Sequence, residues 1–336
     1  MSRYERFDRA RIQLRPLAER GHDLRAADCL PLAPPDHSYT HPEFHELVSR
    51  IVKAREAGRP VVLMMGAHPV KLGLSRFLID LLTRRIVTHL AVNGATLIHD
   101  FELALVGGTS EDVARWITVG QFGLWRETSR LNDIIAQAAG RDEGLGEAVG
   151  RMIEEKGFPH RELSLAAAGW RLGIPVTCHV GVGSDILHAM PNCNGAALGR
   201  ASYTDFLIFA RTIADLEGGV FLNVGTAVTG PEVFLKALSM ARNVARQEGR
   251  EIRHFATAVL DLVDLPGDYR AGPPSKDHPL YYYRPWKTLL VRTVAEGGAS
   301  YYFRGDHRAT IPTLWQRLAC PSAEARTQTA TVSSNA

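Results

Sequence analysis

Two apolar stretches organise this chain, Gly173-Ile-Pro-Val-Thr-Cys-His-Val-Gly181 and Gly219-Val-Phe-Leu-Asn-Val-Gly225. Between them, at 202–216, apolar residues recur at helical spacing. A strand, a crossover helix and a second strand are the simplest interpretation, and such a unit joins parallel strands that are covered on both faces. The strands run into glycine-containing loops at 181–188 and 225–232. Since ligands bind beyond the carboxyl ends of strands in open α/β sheets, both loops are expected to face one crevice.

The same alternation of apolar runs and helical patterns extends along the chain. Further strands are predicted at 60–65, 87–92 and 255–261, and helices at 41–54, 76–85, 163–172, 234–247 and 310–318. Ser75 is expected to cap the helix at 76–85, and Ala299-Ser-Tyr-Tyr-Phe303 has a hairpin-like pattern. The alternation predicts an α/β fold: a doubly wound, mostly parallel, Rossmann-like sheet with helices on both faces.

Composition divides the chain into three parts. Residues 1–40 are basic and then proline-rich, which indicates an arm over the body or over a neighbouring subunit. Residues 41–320 are expected to form a single domain, because no repeat or hinge-like linker interrupts them. Residues 321–336 are small and polar without a period, and they are expected to be disordered.

Bulk properties exclude several classes of protein. A formal net charge of +3 with dispersed basic residues does not indicate nucleic-acid binding. The four cysteines are far apart and form no CxxC pair, which argues against a disulfide framework or zinc ribbon. The charged N-terminus is unlike a signal peptide, and no apolar run is long enough to span a membrane. These features predict a cytoplasmic enzyme.

The glycines at the strand ends are the first candidate site. Gly183 and Ser184 precede Asp185, and Gly225 and Thr226 precede a predicted helix. Glycine lets backbone amides approach a phosphate, and a helix N-terminus adds a favourable dipole. Neither stretch is a complete GxGxxG, and turn glycines also occur for steric reasons alone.

Histidines and carboxylates form the second group of candidates. His179 and His188, near Cys193, could form hydrogen bonds or move protons, or could bind a metal if three or four ligands converged. The acidic residues near predicted strand ends could hold a ribose hydroxyl or a substrate amine, or could cap helices. These acidic residues are Asp100, Glu102, Asp185 and Glu232.

A lysine near the C-terminus is the third candidate. Lys287 follows Trp286 and a run of tyrosines and enters an apolar segment. Desolvation of a lysine disfavours its charged form and makes the amine a better nucleophile. The alternative is a surface lysine whose stem covers the aromatic residues.

Taken together, these features resemble the deoxyhypusine synthase family. The matching motifs, in chain order, are Leu72-Gly-Leu-Ser75, Asn93-Gly-Ala-Thr96 with Asp100 and Glu102 after it, Ile174-Pro-Val176 with Gly183-Ser-Asp185, Asn223-Val-Gly-Thr226, and Trp286-Lys287. The chain departs from the family at three points: its tryptophan and lysine adjoin, Pro231-Glu232 replaces a histidine pair, and Leu280-Tyr-Tyr-Tyr283 replaces an acidic residue. The resemblance implies an NAD-binding fold, a homo-oligomer (tetramer or dimer) and transfer of an aminoalkyl group from a polyamine-type donor.

Three hypotheses for function follow. In the first, an NAD-dependent transferase oxidises a small-molecule amine, Lys287 captures the imine, and His179 or His188 moves protons. NAD would contact Asn93, Gly94, Asp100, Glu102, Gly183, Ser184, Asp185, Gly225 and Thr226, and the substrate would contact Glu232 and Trp286. The alternatives are a metal-dependent hydrolase or isomerase using His179, His188 and Asp185, and a non-catalytic nucleotide-binding protein.

Overall fold

The computed structural model describes residues 2–320 and contains a six-stranded parallel sheet. Its strands are β1 (Val61–Met65), β2 (His89–Asn93), β3 (Val176–His179), β4 (Val220–Val224), β5 (Ala256–Asp261) and β6 (Ala299–Arg304). They lie in the order β3-β2-β1-β4-β5-β6, and every neighbouring pair is parallel. This is the strand order of a doubly wound Rossmann-type sheet, so the predicted fold class is confirmed.

Helices cover both faces of the sheet. They are α1 (Phe44–Glu56), α2 (His68–Lys71), α3 (Ser75–Thr83), α4 (Gly94–Val106), α5 (Val113–Thr118), α6 (Arg126–Arg141), α7 (Leu145–Glu155), α8 (Leu165–Leu172), α9 (Gly195–Ile213), α10 (Thr229–Gln247) and α11 (His307–Ala319). A π-helix (Trp286–Arg292) precedes β6. Within residues 2–320, no helix combines the length and the apolarity needed to cross a membrane.

Alternating strand residues build a separate core on each face. On β1, Leu63 and Met65 pack into the core that includes α1, α3, α4 and α6–α8. Val62 and Met64 point the other way and pack with Phe221 against α9, α10 and the π-helix. Burial of each such side chain contributes about 1.5–3 kcal/mol. A strand that is apolar on both faces therefore lies in the middle of the sheet.

The N-terminal segment packs against the body. Leu17 is buried beside Trp116 and Trp125, and the Arg20 side chain is 1% exposed in an ion pair with Glu102. Leu24–Arg25 pairs antiparallel with Gly108–Thr109. The segment expected to be an arm is thus held by burial and charge on its own chain.

Several element boundaries differ from the sequence prediction. Helix α9 begins at Gly195 because the Asn194 side chain accepts hydrogen bonds from two backbone amides of the first turn. Ser75 does not cap α3: it is the first helical residue, and its buried hydroxyl has no hydrogen-bond partner within residues 2–320. The hairpin-like segment is β6, which is parallel to β5 because the π-helix carries the chain back across the sheet. The tail predicted to be disordered, 321–336, lies outside the described residues.

The two strands of the opening motif are not neighbours. β2 and β1 lie between β3 and β4. The loops at 181–188 and 225–232, which follow β3 and β4, therefore leave strands that are three positions apart, about 14 Å at ordinary strand spacing. The expectation that both loops wall one crevice is therefore wrong. Between β1 and β4 the winding of the chain changes direction, and the crevice belongs to that position.

Candidate functional site

Two glycines bring the backbones after β1 and β4 into close contact. A Cβ atom on Gly66 would lie 2.4 Å from the carbonyl oxygen of Gly225. Gly225 has φ +58°, and a Cβ atom there would lie 2.8 Å from His307 Nε2. A side chain would be crowded at either position, so the two segments meet at the switch point through their backbones.

Two histidines stand beside this contact. His68, exposed at the start of α2, meets His307, buried at the start of α11, edge to face with ring centroids 5.6 Å apart. Burial lowers the pKa of His307, and the neighbouring His68 lowers it further. His307 Nδ1 is buried without a hydrogen-bond partner among residues 2–320. This position therefore has one exposed imidazole, His68, and one buried, neutral imidazole, His307, whose Nδ1 forms no hydrogen bond within residues 2–320.

The loop after β4 is fixed by two side chains. Asn223 donates from Nδ2 to the carbonyl oxygen of Thr226 (3.0 Å), and Thr226 Oγ accepts from Gly230 N–H (3.0 Å). Ala227 and Val228, by contrast, are exposed. The predicted cofactor residues Gly225 and Thr226 thus lie at the crevice, but the Thr226 hydroxyl also shapes the loop that leads into α10.

The N-terminus of α4 already holds a carboxylate. Asn93 Oδ1 accepts from Thr96 N–H (2.9 Å) and caps the helix. A Cβ atom on Gly94 would lie 2.2 Å from Asp185 Oδ2. Burial raises the pKa of Asp185, while His188 and the Ala95 N–H oppose that rise. The start of α4, where Asn93 and Gly94 were predicted to contact NAD, is therefore covered by this protein's own acid.

The loop after β3 is closed on itself. His188 Nδ1 accepts from the N–H groups of Gly183 (3.0 Å) and Asp185 (3.2 Å), and Ser184 Oγ donates to the carbonyl oxygen of Gly181. Gly183 has φ +92°, so the turn needs glycine for its backbone conformation. His188 and Ser184 therefore hold this turn, whereas His179 lies in the sheet.

The prediction that Asp100 and Glu102 contact a cofactor is corrected. The Asp100 carboxylate accepts from the Ser164 hydroxyl and from Leu165 and Ala166 N–H groups at the start of α8. Both oxygens of Glu102 accept two hydrogen bonds each, from Arg20, Thr109 and Thr128. Their exposures are 2% and 1%, and no oxygen remains for a ribose hydroxyl.

Lys287 lies in an aromatic environment. Its Nζ is 3.8 Å from the ring centroid of Tyr281 and 5.6 Å from that of Tyr282, and the residue is 4% exposed. Among the described residues no carboxylate forms a salt bridge with it. Tyr283 Oη donates to Asp261 Oδ2 at the end of β5 (2.7 Å), which ties this segment to the carboxyl edge of the sheet.

The predicted substrate residues are occupied by other contacts. Trp286 donates from Nε1 to the carbonyl oxygens of Tyr269 (2.9 Å) and Gly272 (3.2 Å). Glu232 forms ion pairs with Arg284 and Lys236. Both side chains anchor the Lys287 segment against its surroundings, and neither presents a free polar group.

Metal ligands do not converge in the described part of the chain. No group of three or more His, Cys, Asp or Glu side chains that could hold an ion occurs in residues 2–320. His179 bonds to Thr177, and His188 bonds to its own loop, so the set His179, His188 and Asp185 does not form. A cavity of about 400 Å³ lies at the amino end of β6, away from the crevice, and is lined by Glu43, Arg270 and Tyr301 among others.

Sequence reasoning missed Gly66, His68 and His307 as site residues. Gly66 follows an apolar strand just as Gly225 does, which is a signal that could have been used. No such signal marks His307. The strand before it, β6, has a hairpin-like sequence pattern, and the parallel direction of β6, which brings His307 to the carboxyl edge of the sheet, depends on the preceding π-helix.

No protein-family model matches the chain, and no curated protein is significantly similar to it. Among solved structures, the complex of AgrE with ornithine and NAD+ is 14% identical with a TM-score of 0.50 over 85% of this chain and 34% of that one. This chain thus spans about a third of the length of AgrE.

Two further structures are similar at lower TM-scores. A conserved LOR/SDH protein from Methanococcus maripaludis S2 is 13% identical with a TM-score of 0.46, over 85% of this chain and 73% of that one. A protein of Entamoeba histolytica described as a deoxyhypusine synthase is 9% identical with a TM-score of 0.38, over 84% and 90%. The likeness to AgrE, at a TM-score of 0.50, establishes a Rossmann-like α/β fold.

Proposed function

We propose that this protein is an NAD-dependent enzyme that oxidises a small-molecule amine and transfers the resulting alkyl group through Lys287. The observation that carries the proposal is the close approach of the Gly66 and Gly225 backbones at the switch point of the sheet, between β1 and β4. Dinucleotides bind at this position in doubly wound sheets.

The residues at the crevice fit a dinucleotide. Its pyrophosphate needs close approach to backbone amides and a helix N-terminus, which the Gly225 loop and the 19-residue helix α10 supply. NAD+, when bound, supplies an acceptor for the hydride that leaves the amine.

Lys287 would act after oxidation. Its Nζ adds to the imine carbon of the oxidised donor, the original amine leaves, and a new imine joins the alkyl group to Lys287. The rings of Tyr281 and Tyr282 exclude water from Nζ, and no described carboxylate pairs with it. An amine is the first substrate class to test, since the fold is similar to that of AgrE, which was solved with ornithine and NAD+.

Calorimetric titration with NAD+ tests the cofactor. Gly66→Ala places a methyl group against the Gly225 carbonyl oxygen, whereas the matched Gly199→Ala adds one in open space on α9. We expect saturable binding by the wild type and by Gly199→Ala, and binding at least about tenfold weaker by Gly66→Ala, since 1.4 kcal/mol of lost contact is a factor of ten. No binding by the wild type, or equal affinity in both variants, would refute the proposal.

We also propose that the protein is a homo-oligomer. Large apolar side chains are exposed on loops at the carboxyl edge of the sheet, namely Val182 (76%), Val228 (63%) and Tyr282 (81%). Such side chains are suited to a contact between subunits. Light scattering on purified protein would refute this if it gave the monomer mass at all concentrations.

A further inference from the structure

Two tyrosine rings form an aromatic corner around the amine of Lys287. The rings of Tyr281 and Tyr282 are nearly perpendicular, with an interplanar angle of 84° and centroids 5.0 Å apart. Lys287 Nζ lies 3.8 Å from the centroid of the Tyr281 ring and 5.6 Å from that of the Tyr282 ring. At both distances the negative face of an aromatic ring attracts a cation. The electrostatic partners of Nζ are therefore two ring faces.

The segment that carries the rings is fixed by its own turns and by the sheet. Tyr281 N–H donates to the carbonyl oxygen of His278 (2.9 Å), and Tyr283 N–H donates to that of Leu280 (2.9 Å). The Tyr283 hydroxyl donates to Asp261 at the end of β5 (2.7 Å). The aromatic corner is therefore in place before any substrate binds.

Lys287 presents only the end of its side chain to the surroundings. The residue is 4% exposed, so its stem is buried. Nζ takes part in no hydrogen bond within residues 2–320, yet it is not among the atoms sealed from solvent. The two rings thus cover two sides of Nζ, and another side is open to an incoming molecule.

The transfer proposed above places a positive charge on this atom. The lone pair of Lys287 Nζ attacks the carbon of the protonated donor imine. The bond from that carbon to the donor nitrogen then breaks, and the donor nitrogen takes one proton from Nζ and leaves as a neutral amine. One positive charge enters with the donor, and one remains on Nζ, which is now double-bonded to the transferred carbon. A protonated imine accepts an attacking amine or a hydride more readily than a neutral imine does, so the charge must be kept.

We propose that Tyr281 and Tyr282 are catalytic residues that keep the Lys287 imine protonated through cation–π contacts. This role rests on the proposed function, in which Lys287 captures the imine. A ring face attracts the charge but offers no lone pair that could take the proton, whereas a carboxylate could accept it. Tyr281 carries the larger part of the effect because its ring is nearer to Nζ.

A chromophoric aldehyde tests this role without cofactor or donor. Imines of 4-(dimethylamino)benzaldehyde absorb at longer wavelength when they are protonated, and subtraction of the Lys287→Met spectrum leaves the imine on Lys287. At pH 7, Tyr281→Leu should lower the ratio of protonated to neutral imine at least about fivefold, the ordinary worth of one cation–π contact. Tyr282→Leu should lower it about twofold, because that contact is longer and more exposed.

Tyr281→Phe is the matched control, because it keeps the ring face and changes only the hydroxyl. It should leave the ratio unchanged. If the rings only shielded Nζ, their removal would admit water and raise the ratio, since water favours the charged form. The two explanations therefore predict changes of opposite sign.

An unchanged or raised ratio in both leucine variants, or an equal fall in Tyr281→Phe, would overturn the role of the rings. Tyr282, whose side chain is 81% exposed, provides the decisive variant should Tyr281→Leu fail to fold. Absence of an imine on Lys287 in every variant would overturn this role together with the lysine mechanism. Absence of NAD+ binding would overturn only the proposed cofactor.

Discussion

The ion pair between Arg20 and Glu102 offers a decisive test of how the N-terminal segment is held. Arg20 donates from two nitrogens to the two oxygens of Glu102, at 3.1 and 2.7 Å, and both side chains are 1% exposed. Arg20→Met would leave the Glu102 carboxylate buried without its charge partner. Breaking a buried pair in this way costs about 3–5 kcal/mol, a large share of the 5–15 kcal/mol that ordinarily stabilises a domain.

A double-mutant cycle isolates the pair. The variants are Arg20→Met, Glu102→Gln and the two combined, and urea denaturation followed by circular dichroism gives the free energy of unfolding of each. We expect the double variant to be more stable than Arg20→Met, because it no longer carries the unpaired charge of Glu102, while Glu111, 3.6 Å from Arg20, loses the same partner in both variants. A cost below about 1 kcal/mol for Arg20→Met, or additive effects, would refute the argument, since a buried pair must couple.

The pH dependence supplies an independent check. Burial alone would raise the pKa of Glu102, but Arg20 and the hydrogen bonds from Arg20, Thr128 and Thr109 together hold it below its usual value. A depressed carboxyl pKa contributes stability that is present above the unfolded value of about 4.3 and is lost as pH falls through the folded value. Glu102→Gln should therefore show a shallower acid limb than the wild type. It should also bind NAD+ normally; loss of binding with unchanged stability would return Glu102 to the cofactor site.

Three further outcomes are expected. Burial raises the pKa of Asp205 to about 7, and a raised carboxyl pKa makes the folded state less stable as pH rises from about 4 to 7. Asp205→Asn should therefore flatten the dependence of the urea midpoint on pH. An unchanged slope would contradict this. Borohydride added during reaction with NAD+ and an amine donor should fix an alkyl adduct on Lys287, detectable by mass spectrometry. Lys287→Met should lack the adduct, and Lys276→Met, a control at an exposed site, should retain it. An adduct elsewhere would exclude the lysine mechanism. Tyr283→Phe removes the hydrogen bond to the carboxylate at the end of β5 and should cost about 1.5–3 kcal/mol of unfolding free energy, whereas Tyr282→Phe, 81% exposed, should cost nothing measurable; equal urea midpoints would argue against this anchor.

The candidate site was predictable from the sequence only where a local signal exists. Gly225 follows an apolar run, so its place at a strand end is readable from the pattern, and the structure puts it at the crevice. Asp185 also follows such a run, but whether its carboxylate meets a ligand or the N-terminus of α4 depends on which strand lies beside β3. Pairing of Glu102 with Arg20, 82 residues away, leaves no trace in local spacing.

By itself, the sequence determined the α/β class, because strand and helix periodicities are local properties of side chains. It also determined that β1 and β4 are buried on both faces, since their apolar runs do not alternate. Only the tertiary structure decided the strand order, and with it that Gly66 and Gly225 meet while the loops after β3 and β4 stand apart. The same holds for the hydrogen bonds that link His179, Thr177, His89 and Thr212, which come from β3, β2 and α9. The physical reason is that hydrogen bonds and charge pairs between distant residues depend on how the sheet is wound, and periodicity carries no information about winding.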